Sequence, residues 1–365
     1  MDISVIDKNL AQTGIEGVEL EWISSHDERF SVHGVYYDEK EGLYVRMPVD
    51  VAKEANINLG GLAMLTSGGR LRFVTDSPYI AIKASVPARK PMPHMSITGS
   101  TGFSVYADGV FQNRVSPVFD DFKNMPANPI DGKIIFAEKK DFIKVGKKQL
   151  VEIYFPLYGG VFELYIGVAP GSEVECAPPY KHKKPMLFYG SSITQGACVS
   201  RPGNDYISII ARRLDSDYIN LGFSGSGNAE DAMLDYITSI DASLYGFDYN
   251  LYPNRKDRVL PPHFSIYEKI RKMHPDAAII LYDKPGDLWA EREAIIRSTY
   301  EKARELGDEN VGFVPAIALW GEKERDACTV DLLHPNDLGA MRMADALYPV
   351  IFELLEKNHE TEESF

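Results

Sequence analysis

The sequence contains little cysteine: only three of its 365 residues are cysteines, Cys176, Cys198 and Cys328. A small, odd number of cysteines argues against a disulfide framework and is typical of a reducing compartment. The eight histidines show no His-Glu-x-x-His spacing, and the cysteines show no paired zinc-binding spacing. We therefore expect no metal site built by the protein and no cofactor.

Long apolar runs are also missing, and no stretch is apolar enough to span a bilayer. The N-terminus lacks the basic and apolar regions of a signal peptide, which predicts a cytoplasmic protein, although a trimmed chain would look the same. Positive charge is in deficit, with a net charge of -14 and a pI of about 5.1. This balance argues against nucleic acid and anionic membranes as partners and leaves a small molecule. The oligomeric state stays open.

Up to about residue 175, the sequence shows short runs of alternating polarity separated by turn signals. Residues 79–86 form one such run, and residues 103–107 form another that leads into an Asp-Gly hairpin signal. No long amphipathic helix is obvious in this part of the chain. This rhythm predicts an all-β domain, a sandwich or jelly roll, over residues 1–178.

Residues 170–185 form a polar, proline-bearing linker, and strands then alternate with helices over residues 182–357. Four apolar runs are typical of buried parallel strands: 186–189, 218–221, 277–282 and 311–314. This alternation predicts an α/β domain with a doubly wound parallel sheet, whose ligands bind beyond the carboxyl ends of the strands. Residues 358–365 form an acidic tail.

A serine follows the first of these strands. Ser192 comes after the apolar run and Gly190, where a strand would stop and turn at the carboxyl edge of the sheet. If a helix begins there, its first N–H groups can stabilise an oxyanion, and Ser192 can act as a nucleophile. The alternative is that Ser192 only caps the helix, because serine and threonine are common N-caps.

A carboxylate lies three residues before an imidazole near the last predicted helix. Asp331 and His334 are close enough for one turn to let the carboxylate accept a hydrogen bond from Nδ1, which leaves Nε2 free as a base. Pro335 keeps His334 out of helical geometry and starts the next helix. The alternative is a capping aspartate beside a surface histidine.

Two further segments follow apolar strands and offer oxyanion donors. In the glycine-rich stretch 220–228, Gly225 can bring a backbone N–H close to a substrate. A tight turn or a phosphate cradle is the alternative, but the third glycine of the dinucleotide pattern and the P-loop lysine are both missing. Asn250 and Asn254 can each donate a side-chain amide, and the spacing does not choose between them. An asparagine at such a position is often only a turn residue.

These elements occur in a fixed order: Gly-x-Ser, a glycine, an asparagine and Asp-x-x-His. The order resembles that of the SGNH (GDSL) hydrolase family of esterases and lipases. The resemblance implies a three-layer, flavodoxin-like α/β domain with a parallel sheet over residues 182–357. It implies Ser192 as the nucleophile, Asp331 and His334 as the acid and the base, and the N–H groups of Ser192 and Gly225 as oxyanion donors.

The N-terminal half carries a related signal. Residues 41–46, Glu-Gly-Leu-Tyr-Val-Arg, are similar to the Gly-x-Asp-Leu-Tyr motif in the β-sandwich of two-domain bacterial members, although the Asp is missing. The segments 194–198, 200–203 and 326–331 also resemble that subgroup. The resemblance therefore covers nearly the whole chain.

Two positions depart from the family pattern. The first block is usually Gly-Asp-Ser, and Ser191 stands where the Asp would be. That residue mainly supports the turn, so we do not expect a loss of activity. The third block, Gly-x-Asn-Asp, is absent, and Asn250, Asn254 or neither fills its role.

The sequence as a whole predicts a serine esterase that hydrolyses a small acyl ester, and analogy with the family suggests deacetylation of a carbohydrate. One alternative is an acyltransferase with the same triad, which passes the acyl group to an acceptor other than water. The other is a carbohydrate-binding protein with a degenerate site, an idea that the irregular third block favours and the intact serine, aspartate and histidine oppose.

Overall fold

The computed structural model describes residues 15, 17–88, 92–117, 133–142, 147–248, 263–285 and 290–362. Contacts between residues divide the chain into two compact units. The β unit comprises Met1–Arg46, Met64–Pro179 and Ser200–Gly203, and the α/β unit comprises Met47–Ala63, Tyr180–Val199 and Asn204–Phe365. The predicted domain bounds, 1–178 and 182–357, stay a prediction. Unlike the predicted domains, the β unit also contains Ser200–Gly203 and the α/β unit also contains Met47–Ala63.

The first half of the chain contains twelve strands and three short helices within its described residues. They are β1 (Glu21–Ser24), β2 (Ser31–His33), β3 (Tyr36–Asp38), β4 (Leu43–Val45), α1 (Val49–Ala55), α2 (Ile57–Ala63), β5 (Arg70–Thr75), β6 (Tyr79–Pro87), α3 (Ile97–Thr101), β7 (Phe103–Ala107), β8 (Val110–Val115), β9 (Lys133–Asp141), β10 (Gln149–Tyr154), β11 (Glu163–Val168) and β12 (Val174–Cys176).

The strands of the β unit form two antiparallel sheets. One sheet has the strand order β1-β11-β6-β9, and the other has the order β12-β5-β10-β7-β8, with β2 paired to β5. Alternate residues of each sheet turn inwards, so Ile80 and Ile82 of β6 share one buried apolar cluster with Val151 and Ile153 of β10. This architecture confirms the predicted all-β sandwich.

The second half alternates strands with helices. Its elements are β13 (His182–Gly190), α4 (Ser192–Gln195), α5 (Tyr206–Leu214), β14 (Ser216–Gly222), α6 (Asp231–Ser239), β15 (Leu244–Asp248), α7 (His263–Met273), β16 (Ala278–Tyr282), α8 (Ala290–Glu305), β17 (Val311–Val314), α9 (Ala316–Trp320), a 3₁₀ turn (Arg325–Cys328) and α10 (Asp337–Glu362). None of the helices in the described residues is long and apolar enough to cross a membrane.

Five parallel strands form the sheet of the α/β unit, in the order β14-β13-β15-β16-β17. Counted within this sheet the order is 2-1-3-4-5, which is that of flavodoxin-like folds. Every residue of β15 and β16 is buried, as expected for strands that are covered on both faces. The predicted α/β fold with a parallel sheet is confirmed.

Helices α5 and α10 supply much of the covering on one face of this sheet. Ile207 and Ile210 of α5 join Met343 and Leu347 of α10 in a buried cluster that includes Phe188 of β13. In α5, Ile207 and Ile210 are three residues apart and therefore lie on the same side of the helix, as in an amphipathic helix.

The register of the sheet aligns three strand ends. Gly190 of β13 lies opposite Gly222 of β14 and opposite Asp248 of β15. The loops that leave these three ends therefore start at one level of the carboxyl edge. They carry Ser192 and Gly225, and the third leads into the segment of the two candidate asparagines.

Four predicted features differ from the structure. Helices α1 and α2 lie where the sequence indicated only β structure. Strand β12 lies inside the predicted linker, because its residues pair with β5, and β13 begins at His182 instead of residue 186. Helix α10 continues to Glu362, into the predicted acidic tail.

Candidate active site

The turn after β13 brings Ser192 to the carboxyl edge of the sheet. β13 ends at Gly190, and the one-turn helix α4 begins at Ser192 with Ser191 as its N-cap. Ser191 Oγ accepts the N–H of Ile193 at 3.2 Å. A Cβ at Gly190 would lie 2.4 Å from the carbonyl oxygen of Asp248, so only glycine fits where β15 passes beside the turn.

The structure brings Ser192, His334 and Asp331 together. Ser192 Oγ lies 2.8 Å from His334 Nε2, and His334 Nδ1 lies 2.7 Å from Asp331 Oδ2. The exposed fraction of the side chain is 16% for His334 and 36% for Asp331, while Ser192 is 9% exposed. With the imidazole proton on Nδ1, Nε2 is placed to accept the proton of the serine hydroxyl.

A tight loop sets the position of the imidazole. Asp331 Oδ1 accepts the N–H groups of Leu333 at 3.1 Å and of His334 at 2.7 Å, so both carboxylate oxygens are used within four residues. Thr329 Oγ1 donates to the carbonyl oxygen of His334 at 2.9 Å. Leu332 has a φ of +69°, which is unusual for a bulky residue and marks a strained turn.

The same hydrogen bonds act on the charge of the acid. Burial raises the pKa of Asp331, but the backbone and side-chain hydrogen bonds from His334 and the backbone of Leu333 outweigh it, so the pKa falls below 3.8. The carboxylate is therefore ionised at neutral pH, as a group that holds an imidazole in one tautomer must be.

The glycine-rich turn after β14 carries the candidate oxyanion donor Gly225. The N–H groups of Ser226 and Gly227 both donate to the carbonyl oxygen of Phe223, and Ser224 N–H donates to Gln195 Oε1 at 2.9 Å. Gly225, with a φ of +67°, has no acceptor for its N–H among the described residues. A backbone donor left over in this way is suited to an oxyanion.

Asn250 and Asn254 lie outside the described residues, so the question of a third oxyanion donor stays a prediction.

A buried carboxylate that sequence reasoning missed lies behind the nucleophile turn. Asp248 Oδ2 accepts hydrogen bonds from Ser191 Oγ at 2.8 Å and from Thr194 Oγ1 at 3.2 Å. Thr194 Oγ1 is also 3.1 Å from the hydroxyl of Tyr206, which is 2.8 Å from that of Tyr282. The signal in the sequence was an aspartate at the end of an otherwise apolar strand.

More charge is buried next to Asp248. Arg292 donates to Asp283 Oδ1 at 2.6 Å, and both residues, like Lys284, are almost fully buried. Burial raises the pKa of Asp283 to about 6, against the lowering effect of Arg292. Burial also raises the pKa of Asp248, against the lowering effects of Lys284, the Ser191 hydroxyl and Arg292.

The buried cysteines are poor nucleophiles. Burial, with Asp331 adding to it, raises the pKa of Cys198 to about 12. Burial also raises the pKa of Cys328. Because the thiolate is the reactive form of cysteine, neither thiol competes with Ser192 at neutral pH.

Comparison with families of known proteins gives two matches. Residues 183–352 match the GDSL-like lipase/acylhydrolase family. Residues 20–174 match the family described as the N-terminus of the SGNH-hydrolase type of esterase. No curated protein gives a significant match to the sequence.

Several solved structures share the fold over nearly the whole chain. One, described as a GDSL-like lipase from Bacteroides ovatus, has a TM-score of 0.75 and 24% identity, and the alignment covers 93% of this chain and 98% of that one. A salicylyl-acyltransferase from a tetracycline biosynthetic pathway has a TM-score of 0.72, 21% identity and coverage of 92% and 97%. A family two carbohydrate esterase from Cellvibrio japonicus has a TM-score of 0.57, 13% identity and coverage of 93% and 98%.

Proposed function

Because the chain belongs to the SGNH (GDSL) hydrolase family and is a carboxylic ester hydrolase of that type, we propose that it hydrolyses a small acyl ester through a triad of Ser192, His334 and Asp331. The observation that carries the proposal is the pair of contacts at His334, which is 2.8 Å from the serine oxygen on one side and 2.7 Å from the carboxylate on the other.

The reaction proceeds in two halves. His334 Nε2 takes the proton of Ser192 as the serine oxygen attacks the ester carbonyl carbon, and the carbonyl oxygen becomes an oxyanion. The tetrahedral intermediate collapses, and the imidazolium gives its proton to the departing alcohol. Water then attacks the acyl-enzyme with His334 again as the base, and the acid leaves Ser192 free.

The oxyanion is held by backbone donors. The N–H of Ser192 belongs to the first turn of α4, and the N–H of Gly225 has no acceptor among the described residues. A side-chain amide from Asn250 or Asn254 is the third donor in this proposal. One such donor contributes about 2.7–4 kcal/mol of transition-state stabilisation in a comparable site.

The substrate that we propose is an acetylated carbohydrate. Support comes from the carbohydrate esterase of Cellvibrio japonicus and from an acetyl xylan esterase of Butyrivibrio proteoclasticus, which has a TM-score of 0.55, 14% identity and coverage of 92% of this chain and 99% of that one. The acyl group and the alcohol of this substrate can both be tested in one direct assay.

The assay is a panel of p-nitrophenyl esters from acetate to octanoate, run beside acetylated oligosaccharides. We expect release of acetate from the oligosaccharides and the fastest p-nitrophenol release from the shortest esters. The Ser192→Ala variant is the background control. Wild-type protein that turns over none of these esters would contradict the proposal.

Acyl transfer is the second candidate, and the similarity to the salicylyl-acyltransferase favours it. Transfer would use the same acyl-enzyme, with an alcohol or amine in place of water in the second half. The same assay distinguishes the two when candidate acceptors are added. Transfer predicts a new ester or amide in proportion to the acceptor, whereas hydrolysis predicts free acid whatever acceptor is present.

A further inference from the structure

Asp248 accepts hydrogen bonds from both sides of the nucleophile in the sequence. Ser191 precedes Ser192 directly, and Thr194 follows it by two residues within α4. The hydroxyls of both residues donate to one oxygen, Asp248 Oδ2, at 2.8 and 3.2 Å. The turn that presents the nucleophile is therefore fastened to the end of β15 by two side-chain bonds.

Ser191 is the donor in the shorter bond. Ser191 Oγ accepts the N–H of Ile193, and its only proton is then available to the carboxylate of Asp248. The N-cap of α4 is thus held by the backbone on one side and by the carboxylate on the other.

Keeping a carboxylate at this depth is costly for the fold. Asp248 is only 2% exposed, and its Oδ1 accepts no hydrogen bond within the described part of the chain. The charges that face it are the cations of Lys284 and Arg292 and the carboxylate of Asp283. A buried carboxyl group with an oxygen that no described residue bonds calls for an explanation, because an apolar side chain would pack there at lower cost.

Position 191 supplies the explanation. The first block of the family has an aspartate there, and this chain has a serine, so the turn carries no acid of its own. The neighbouring strand provides one, because Gly190 and Asp248 lie opposite each other in the parallel pair of β13 and β15.

We propose that Asp248 is a positioning residue for the reaction, which holds the turn of Ser192 from the adjacent strand in place of the acid absent from position 191. The inference rests on the proposed function, since it assumes Ser192 as the nucleophile. Asp248 acts through Ser191 and Thr194 and does not touch the ester.

The test is an exchange of the two side chains in the full-length protein. Asp248→Ser, Ser191→Asp and the double variant are compared with wild type for kcat and KM on p-nitrophenyl acetate and for the rate of labelling by a fluorophosphonate. A nucleophile displaced by about 1 Å can lose on the order of 100-fold in rate. We expect each single variant to lose roughly 10- to 100-fold in kcat, with KM changed by less than about threefold.

The double variant decides between the outcomes. Ser191→Asp alone places two carboxylates together, whereas the double variant restores one carboxylate and one hydroxyl in exchanged positions. We expect it to recover to within about fivefold of wild-type kcat, far above the product of the two single losses. Independent, multiplying losses would overturn the positioning role.

A neighbouring carboxylate is the matched control. Asp283 is as buried as Asp248 but bonds to Arg292 instead of the nucleophile turn. We expect Asp283→Asn to lower the melting temperature while leaving kcat within about threefold of wild type. An equal loss of kcat in Asp283→Asn and Asp248→Ser would mean that both act only through stability, and would overturn the inference.

Two further measurements complete the test: kcat of Asp248→Asn, and labelling of wild type beside Ser192→Ala. If Asp248→Ser does not fold, Asp248→Asn keeps the shape and one acceptor oxygen, and we expect a smaller loss of roughly 3- to 10-fold in kcat; unchanged kcat there would overturn the proposal. Wild-type protein that the fluorophosphonate labels no faster than Ser192→Ala would instead refute the proposed function. The two failures are therefore distinguishable.

Discussion

The proposed reaction depends above all on one hydroxyl group, that of the nucleophile Ser192. It lies 2.8 Å from its base, and the rest of the constellation serves to activate it or to hold the charge that its attack creates. Predictions about single residues therefore follow from which of these tasks each side chain performs.

Ser192→Ala should abolish ester hydrolysis and leave the fold intact. Loss of the nucleophile in a coupled triad costs on the order of 10⁴-fold or more in kcat, because the remaining members cannot act alone. The measurement is p-nitrophenyl acetate turnover, with thermal unfolding as the check on folding. Ser239→Ala is the matched control, because among the described residues its exposed hydroxyl bonds only to the carbonyl of Tyr236. Turnover equal to wild type would exclude Ser192 as the nucleophile.

The rate should fall towards acidic pH, because only neutral imidazole can take the serine proton. Hydrogen bonds hold the pKa of Asp331 below 3.8, so its carboxylate stays ionised near neutral pH. The contribution of Asp331 to stability is lost only as the pH falls through that lowered value. Asp331→Asn should lose on the order of 10³- to 10⁴-fold in kcat. A wild-type rate as high in acid as at neutral pH would contradict the role of His334.

Thiol chemistry offers a check on the rival nucleophile. Cys176 is exposed, while Cys198 and Cys328 are buried, and the pKa of Cys198 is raised to about 12. We expect a disulfide reagent to titrate one thiol in the folded protein, with no loss of hydrolysis, and Cys176→Ala to remove that reaction. Inactivation that tracks modification of Cys198 would show that this thiol belongs to the site.

At the scale of elements, the turn between β13 and α4 is determined by the room that the neighbouring strand leaves for it. The chain turns at Gly190 in a space that β15 narrows. A glycine is needed there because a Cβ would collide with the carbonyl oxygen of Asp248. The loop of Asp331 and His334 works differently, because its own hydrogen bonds close it. The first element depends on its neighbours and the second chiefly on itself.

Gly190→Ala should therefore damage both stability and rate. Its Cβ would lie 2.4 Å from the Asp248 carbonyl oxygen and from Thr194 Oγ1, so the turn must move. We expect a loss of about 1–3 kcal/mol in the free energy of unfolding, as for overpacking, and a fall in kcat. Gly61→Ala, in α2, meets nothing within 4 Å and should be neutral or slightly stabilising. Equal effects from the two variants in a urea titration would contradict this account.

At the scale of the whole molecule, the α/β unit draws on two distant parts of the chain. Helices α1 and α2 belong to it, and α1 packs on α6, with Asn56 Nδ2 donating to Glu230 Oε1 at 3.2 Å. Val49 and Ala52 of α1 are buried. A fragment that begins at residue 182 lacks these helices and leaves part of α6 uncovered.

We expect fragment 182–365 to be less stable than the same fragment with residues 47–63 fused to it through a flexible linker. The apolar area that α1 and α2 bury contributes stability only when they are present. Thermal unfolding of the two fragments is the measurement, and p-nitrophenyl acetate hydrolysis is the second readout. A scrambled 47–63 segment on the same linker is the control. Equal melting temperatures would mean that the helices add nothing to the unit.

The sequence allowed prediction of what depends on short spacings and on pattern. The fold classes followed from alternation and buried runs, and the contact of Asp331 with His334 followed from three residues of separation. Asp248 escaped notice because its bond to Ser191 spans 57 residues and exists only through the pairing of two parallel strands. Helices α1 and α2 escaped notice because helices of seven residues have little stability of their own and depend on tertiary packing.

The divided origin of the α/β unit also orders events during synthesis. Residues 47–63 leave the ribosome long before α6, and at about 5–20 residues per second the delay is on the order of ten seconds or more. During that interval α1 lacks α6, the helix on which it packs, while the strands between residues 64 and 179 can already pair. A nascent chain therefore exposes an apolar segment for this interval, which makes residues 47–63 a binding point for chaperones until the α/β unit is complete.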